Sequence, residues 1–295
     1  TTEIYTLSLH DALPIFQRGM HLLLLLPLAF ILYPASKKAP SDRVPWYDWI
    51  LAVLSALPSL YVVVFRDVLN ARWENASPVT PMQLILGFVI VITLIEAVRR
   101  AASSALAILM VIALIELFAG HLIPGAFGHR KFGLDRIVEI CYMLQEEGIY
   151  GYVTGVSAVF VALFVVFGAF INTMGLGQYF IDLSFRIAGK SAGGPAKVAV
   201  ISSGLFGTIS GSATANVFAT GIFTIPLMKK LGYRPQFAGA VEATASTGGG
   251  LVPPVMGAAV FLMAQITQIP YITICAAALP TAIFYYFCIF LTVHF

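Results

Sequence analysis

The sequence predicts an all-α polytopic membrane protein: a helical bundle followed by a region containing a re-entrant helical hairpin and a broken helix. Three observations predict it. Of 295 residues, 59% are hydrophobic and only 11% are charged, whereas a soluble domain carries about 25% charge. Mean hydropathy is +0.90; so few charges cannot cover that apolar surface in water, and lipid is the natural solvent. Finally, the apolar runs change texture after residue 148, where glycine, proline and hydroxyl residues begin to interrupt them. The net charge of +3 gives no reason to expect a nucleic-acid partner, because Lys and Arg near span ends usually set orientation.

The first 15 residues, TTEIYTLSLHDALPI, resemble the translated read-through of a sequencing adapter. They are set aside as a non-native leader. Apolar runs follow at 20–33, 49–65, 82–97, 104–123 and 149–171, against the roughly 20 residues that a span needs. The first is short and reads as a shortened span or a signal-peptide core. Polar connectors separate the runs, with Trp46, Trp49 and Trp73 at their margins, where amphipathic rings favour the interface. Positive charges are spread over all the connectors, so they leave the orientation open. Glu96 stands three and four residues before Arg99 and Arg100, the spacing of a helix-surface ion pair. A polar stretch at 124–148 marks a boundary, giving a four-helix region over 16–123 and a second region over 124–295. The last apolar run reaches Phe295, so the chain is expected to be a fragment of a longer one.

Within the second region, GTISGSATAN (207–216) is loop-like, yet it lies between the apolar segments 197–206 and 217–228. Helices of that length would be on the order of 15–18 Å long, about half of a 30 Å hydrocarbon core. Two such helices predict a hairpin with its tip near the bilayer midplane. Irregular backbone is tolerated there only against protein or a wet cavity. Ser210, Ser212, Thr214 and Asn216 offer oxygens to a hard cation such as Na⁺, and Gly211 lets the backbone bend and approach it. A second break follows at TGGGLVPP, where Thr247, Gly248, Gly249, Pro253 and Pro254 interrupt a span. Paired interrupted helices point to a binding site at their breaks; kinks and small-residue packing are the alternative. Glu242 is the only charged residue from 235 to 295. It is either a functional intramembrane acid or a structural one near an interface, paired with Arg234 or Lys230.

Other chemistry is weakly represented. Cys141, Cys275, Cys288 and the five histidines show neither C-x-x-C nor H-E-x-x-H spacing, so no cofactor and no metal beyond Na⁺ is expected. GKSAG (189–193) matches G-x-S-x-G, with Glu242 and His294 following in hydrolase order. A nucleophile elbow needs a preceding strand, however, and YFIDLSFRIA reads as helix. A channel reading lacks a filter or a ring of charge.

The segment from Gly193 to Gln265, GGPAKVAVISSGLFGTISGSATANVFATGIFTIPLMKKLGYRPQFAGAVEATASTGGGLVPPVMGAAVFLMAQ, resembles the membrane component of tripartite ATP-independent periplasmic (TRAP) transporters. It most resembles the fused-permease form that works with TAXI-type binding proteins. RRAASSALAI, PGAFGHRKF and GLGQYFIDLSFRIAGK extend the likeness upstream, while Gln265 stands where an acid is expected. The resemblance implies a multi-pass permease of the bacterial inner membrane that is not an enzyme. Such a permease couples uptake of a carboxylate-bearing organic acid to a Na⁺ gradient and receives its solute from a periplasmic binding protein. It also implies an elevator-type transport domain of two inverted repeats, of which 124–295 would carry the first, and a small-subunit-like part at 16–123. In that reading Ser210–Asn216 form the Na⁺-site loop of the first hairpin, with the 247–254 break beside it. An elevator-type carboxylate carrier without a binding protein is the competing reading.

Overall fold

The computed structural model describes residues 2–36, 43–73, 76–125, 128–144 and 147–294, with the side chains of 2–13 and 172 outside the description. The side chains of most of the expected leader, and the connector residues Lys37, Lys38 and Asp42, therefore lie outside the described residues. The described chain is helical, with no strand among the described residues, and it divides into two compact units, 1–158 and 159–295. Six helical stretches are long and apolar enough to cross a membrane: Pro14–Leu32, Trp46–Val64, Pro81–Ala101, Ser104–Leu122, Tyr152–Ile171 and Tyr271–Thr292.

The first unit is built on α1 (Thr2–Leu32), α2 (Trp46–Val64), α4 (Pro81–Ala101) and α5 (Ser104–Ala119), with a short α3 (Arg66–Asn70). Within α1 the stretch Pro14–Leu32, 19 residues, is long and apolar enough to cross a membrane; in it Ile15 is buried in the core and Arg18 donates to the Tyr150 carbonyl at 3.0 Å. Thr80 caps α4 in a reciprocal box with Gln83, and Pro81 follows at the first helical position, where its missing N–H costs nothing. Residues 134–158, including α6 (Leu134–Val138) and α7 (Tyr152–Val156), pack on these helices. Val138, Tyr142 and Tyr150 join a core with Leu26, Phe30 and Ile90. Tyr142 donates to the Pro58 carbonyl at 2.9 Å, and Tyr150 shares a 2.9 Å hydrogen bond with Ser59.

Glu96 pairs with both Arg99 and Arg100 at 2.7 Å, as its spacing predicts. Arg100 also reaches Asp48 of α2 at 2.6 Å, with both side chains almost fully buried. Arg72 pairs with Glu139 at 3.1 Å. Both long-range pairs fasten segments far apart in sequence.

The second unit holds α8 (Ala162–Thr173), α9 (Leu176–Ala188), α10 (Gly194–Ser210), α11 (Ala213–Lys230), α12 (Pro235–Gly248), α13 (Ala258–Thr267) and α14 (Tyr271–Thr292). Its core is rich in alanine: Ala196, Ala199, Ala238 and Ala245 pack with Val200, Met228 and Val241. Such small side chains let helix backbones approach closely. α10 and α11 form the expected hairpin, but its proportions differ from the expectation. They have 17 and 18 residues, about 25–27 Å at 1.5 Å per residue. The turn shrinks to Gly211 and Ser212. Thr208 in the predicted loop bonds back to the Leu205 carbonyl at 2.6 Å, and helix takes the place of most of that loop. Because α11 returns beside α10, Arg186, Lys190, Lys197, Lys229, Lys230 and Arg234 gather at the end away from the tip.

Candidate ion site at the hairpin tip

The turn depends on two residues. Gly211 ends α10 at φ +59°, with its N–H bonded to the Gly207 carbonyl, a left-handed conformation that favours glycine. Ser212 then caps α11, accepting from the Ala215 N–H, which satisfies one orphan donor of the helix start.

The second break lies against this tip. α12 tightens into a single 3₁₀ turn, Gly249–Leu251, followed by an irregular stretch with a cis Pro253–Pro254 bond and Met256 at φ +54°. The tip and the break meet backbone to backbone. A Cβ on Gly249 would lie 2.9 Å from Gly207 Cα, and a Cβ on Gly211 would lie 2.8 Å from the Met256 carbonyl carbon and closer still to its oxygen. The Val255 N–H donates to the Thr208 carbonyl at 3.4 Å, and the Gly257 N–H to Gly250 at 2.8 Å. Carbonyl oxygens of both interruptions therefore line one junction. Ser210 Oγ, on the residue before Gly211, is buried with no hydrogen-bond partner among the described residues. An unpaired buried hydroxyl costs about 1–3 kcal/mol, so a ligand that accepted its lone pairs would relieve a real penalty. A cation bound by hydroxyl and carbonyl oxygens fits that donor set.

Tyrosines of α14 brace the break. Tyr271 donates to the carbonyls of Pro254 and Val255 at 2.7 and 2.8 Å, and its ring stacks on Phe261 at 4.7 Å. The Gly249 N–H turns to the Ser246 and Thr247 carbonyls, which leaves the Ala245 carbonyl to Tyr286 at 2.7 Å.

The predicted site residues separate into two groups. Gly211, Gly249 and the backbone of Val255 and Met256 meet at the junction, with Ser210 next to Gly211 in the chain. Ser212 serves as a cap. Thr214 and Thr247 are exposed, and Thr247 bonds its own Ala243 carbonyl, so the structure does not bring these two hydroxyls to the junction. Gly248 packs under Tyr285 and Tyr286. Asn216 is fully buried one turn below the tip, where its amide donates to the Ser203 carbonyl at 2.8 Å.

Glu242 is not an interfacial partner of Arg234 or Lys230. It is fully buried between α10, α11 and α12, where four hydroxyls surround it. Ser203, Thr220 and Ser246 approach Oε1 at 3.1, 2.5 and 3.0 Å, and Thr224 approaches Oε2 at 2.5 Å. These hydroxyls offer donors to both Glu242 side-chain oxygens without a cation. The sequence signal for this socket is a four-residue repeat: Asn216, Thr220 and Thr224 on α11, then Glu242 and Ser246 on α12, a spacing that puts each set on one helix face.

Two interruptions meeting tip to break, inside a helical membrane protein, are the architecture of a carrier. A family model described as Tripartite ATP-independent periplasmic transporter, DctM component, matches residues 88–295. The chain belongs to that family. This TRAP permease is 34% identical over 109 residues to the C4-dicarboxylate TRAP transporter large permease protein DctM of Pseudomonas aeruginosa, covering 37% of this chain and 26% of that one. It is 34% identical over 94 residues to the isethionate TRAP transporter permease protein DctMQ of Oleidesulfovibrio alaskensis, covering 32% and 15%. It is 28% identical over 100 residues to the 2,3-diketo-L-gulonate TRAP transporter large permease protein YiaN of Escherichia coli, covering 34% and 23%. These matches span about a quarter or less of the relatives' length. No solved structure matches the TRAP permease chain. It is a multi-pass inner-membrane protein, and its relatives are named as permeases rather than enzymes. Ser191 follows a helix, not a strand, and bonds back to the Ala188 carbonyl, so a nucleophile elbow is absent.

Proposed function

We propose that this chain is the membrane part of a binding-protein-dependent secondary transporter, coupling uptake of a small organic anion to a Na⁺ gradient. The observation that carries the Na⁺ assignment is the unpartnered Ser210 hydroxyl, one residue before a junction of backbone carbonyls. Na⁺ has no directional bonding and takes hydroxyl and carbonyl oxygens readily, and carbonyl ends of half-helices are its usual hosts in carriers. Ser210 and the carbonyls of Gly211 and Met256 would hold the ion, while Asn216 supports them from below. The ion would supply a positive charge at the tip, where the chain has none.

The solute class is a carboxylate or similar organic anion. C4-dicarboxylate, isethionate and diketogulonate in the relatives' names are all of that kind. A periplasmic binding protein of the TAXI type delivers it, and an elevator movement of the second region carries it across. In this reading residues 16–123 act as the small fused part and 124–295 as the first portion of the large part.

The test is reconstitution of the complete permease with its binding protein in proteoliposomes. Labelled C4-dicarboxylate, isethionate and diketogulonate are offered under an inward Na⁺ gradient and under K⁺. Uptake of at least one is expected only with Na⁺ and binding protein together. Equal uptake under K⁺ overturns the coupling, and equal uptake without the binding protein favours a simple carrier.

A further inference from the structure

A buried carboxylate is a poor choice if stability alone matters, because an apolar residue of similar volume is often as stabilising as buried charge. Glu242 nevertheless occupies the centre of the second unit. Its hydrogen bonds lead in two directions. Through Ser203 and Thr220 they run toward the tip. The Ser203 carbonyl accepts from Asn216 Nδ2 at 2.8 Å, and Thr220 Oγ1 lies 2.9 Å from the Asn216 carbonyl and 3.4 Å from its Oδ1. Asn216 Nδ2 in turn lies 2.9 Å from where a Gly249 Cβ would be. Asn216 thus fills the space under the contact between Gly207 and Gly249. Thr224 lies one turn farther from the tip, and its hydroxyl's other acceptor is the Thr220 carbonyl at 3.1 Å rather than a group of Asn216.

We propose that Glu242 is a positioning residue for the ion site: it fixes Ser203, whose carbonyl holds Asn216, it takes the single proton of Thr220, whose Oγ1 sits against Asn216, and through Asn216 it fixes the register of the hairpin tip against the broken helix. The chemistry explains the residue type. A carboxylate only accepts, with about four lone-pair sites on two oxygens, and four hydroxyls can donate to it, the single protons of Thr220 and Thr224 then leaving the carbonyls of their own helix. Glutamine keeps the shape but turns two acceptor sites into donors, which then face hydroxyl hydrogens. The network must rotate or break, and Asn216 loses its fixed position. The inference rests on the ion site proposed above, but its test reads the junction directly.

The experiment uses the complete permease with Cys141, Cys275 and Cys288 changed to Ala. Thr208→Cys and Val255→Cys are introduced across the junction, where the backbones are hydrogen-bonded, and the rate of disulfide formation is followed. Three substitutions are compared: Glu242→Gln, Thr220→Ala and Thr224→Ala. Both threonines lose a bond to the same carboxylate, so a merely structural role moves both alike. The proposal expects Glu242→Gln and Thr220→Ala to slow cross-linking about tenfold, as loss of one charge-assisted hydrogen bond implies, and Thr224→Ala to leave the rate near that of the parent. It also expects the first two to raise the Na⁺ concentration for half-maximal uptake by a similar factor, with the rate at saturating Na⁺ kept. If Thr220→Ala has no larger effect than Thr224→Ala on cross-linking, the proposal is overturned. Should Glu242→Gln fail to fold, the threonine pair decides alone. A parent permease without Na⁺-dependent uptake would sink the ion assignment while leaving the cross-linking result to judge the positioning role.

Discussion

Gly211→Ala isolates the close approach at the hairpin tip. Two effects combine there. The residue sits at φ +59°, and placing an L side chain in that region costs about 1–2 kcal/mol. The new Cβ would also stand 2.8 Å from the Met256 carbonyl carbon and closer to its oxygen, where ordinary contact begins at 3.4 Å. The tip and the break must separate by at least 0.6 Å, the difference 3.4 − 2.8, and on the order of 1 Å once the oxygen is cleared, a displacement that can cost a preorganised site about 10²-fold. Gly232 supplies the control: its φ is +94°, and nothing lies within 4 Å of its Cβ position. Gly232→Ala therefore carries the conformational strain without the collision. The assay is Na⁺-dependent uptake by the complete transporter in proteoliposomes, paired with thermal denaturation in detergent. Both variants should melt earlier, Gly211→Ala by the larger amount because it adds the collision to the strain. Only Gly211→Ala should raise the half-maximal Na⁺ concentration, by about ten- to a hundredfold on the same reasoning. If Gly211→Ala keeps normal Na⁺ dependence, or Gly232→Ala loses it equally, close backbone approach is not what builds the site.

Other outcomes follow from the packing. Asp48→Asn leaves the buried Arg100 guanidinium with Glu96 as its remaining acidic partner among the described residues and should destabilise the first unit by about 3 kcal/mol, whereas Arg99→Gln, at a partly exposed pair, should cost at most about 1 kcal/mol; thermal melts of both compare them. Tyr286→Phe removes the donor to the Ala245 carbonyl and should cost about 1–3 kcal/mol, more than Tyr285→Phe, whose bond to Thr244 is exposed. His129 presents both ring nitrogens to acceptors, the Arg130 carbonyl at 2.6 Å and the Glu116 carbonyl at 3.1 Å, and these two carbonyls raise its pKa. Because the folded value is raised, its tie to α5 is fully present below the ordinary imidazole value of about 6.5 and is lost as pH rises through the folded one. Trypsin should then cleave after Arg130 and Lys131 faster at higher pH than its own pH profile explains, and His129→Ala should abolish the difference.

Local signals exposed much of this architecture. Apolar run length gave the spans, and the Glu96–Arg99–Arg100 spacing gave its ion pairs. The clustering of glycine, proline and hydroxyls gave the two breaks. Hairpin proportions were less legible, because GTIS and ATAN read as loop by composition while their hydroxyls can bond to helix carbonyls. Tertiary contacts were hidden altogether. Nothing near Asp48 in sequence announces Arg100, and nothing near Glu242 says which of Arg234, Lys230 or the hydroxyls of two other helices it meets. The 216–220–224 repeat was visible as a face, but its partner became identifiable only once α12 was seen against it. Tyr271 escaped because a lone aromatic at a helix start has many ordinary uses.

The hydroxyl socket also imposes an order of assembly. Thr220 and Thr224 can each bond a carbonyl one turn back in their own helix, those of Asn216 and Thr220. The hairpin can therefore enter lipid with these polar groups already satisfied. Glu242 has no such refuge within α12 beyond Ser246, and an exposed acid at mid-membrane depth costs about 2.5–3.5 kcal/mol on insertion scales. Since α12 is synthesised after the hairpin, the acid emerges when its acceptors' partners are already in place, and docking against α10 and α11 removes its exposure. During biogenesis the hairpin thus acts as a template that draws the following helix out of the lipid and into the bundle.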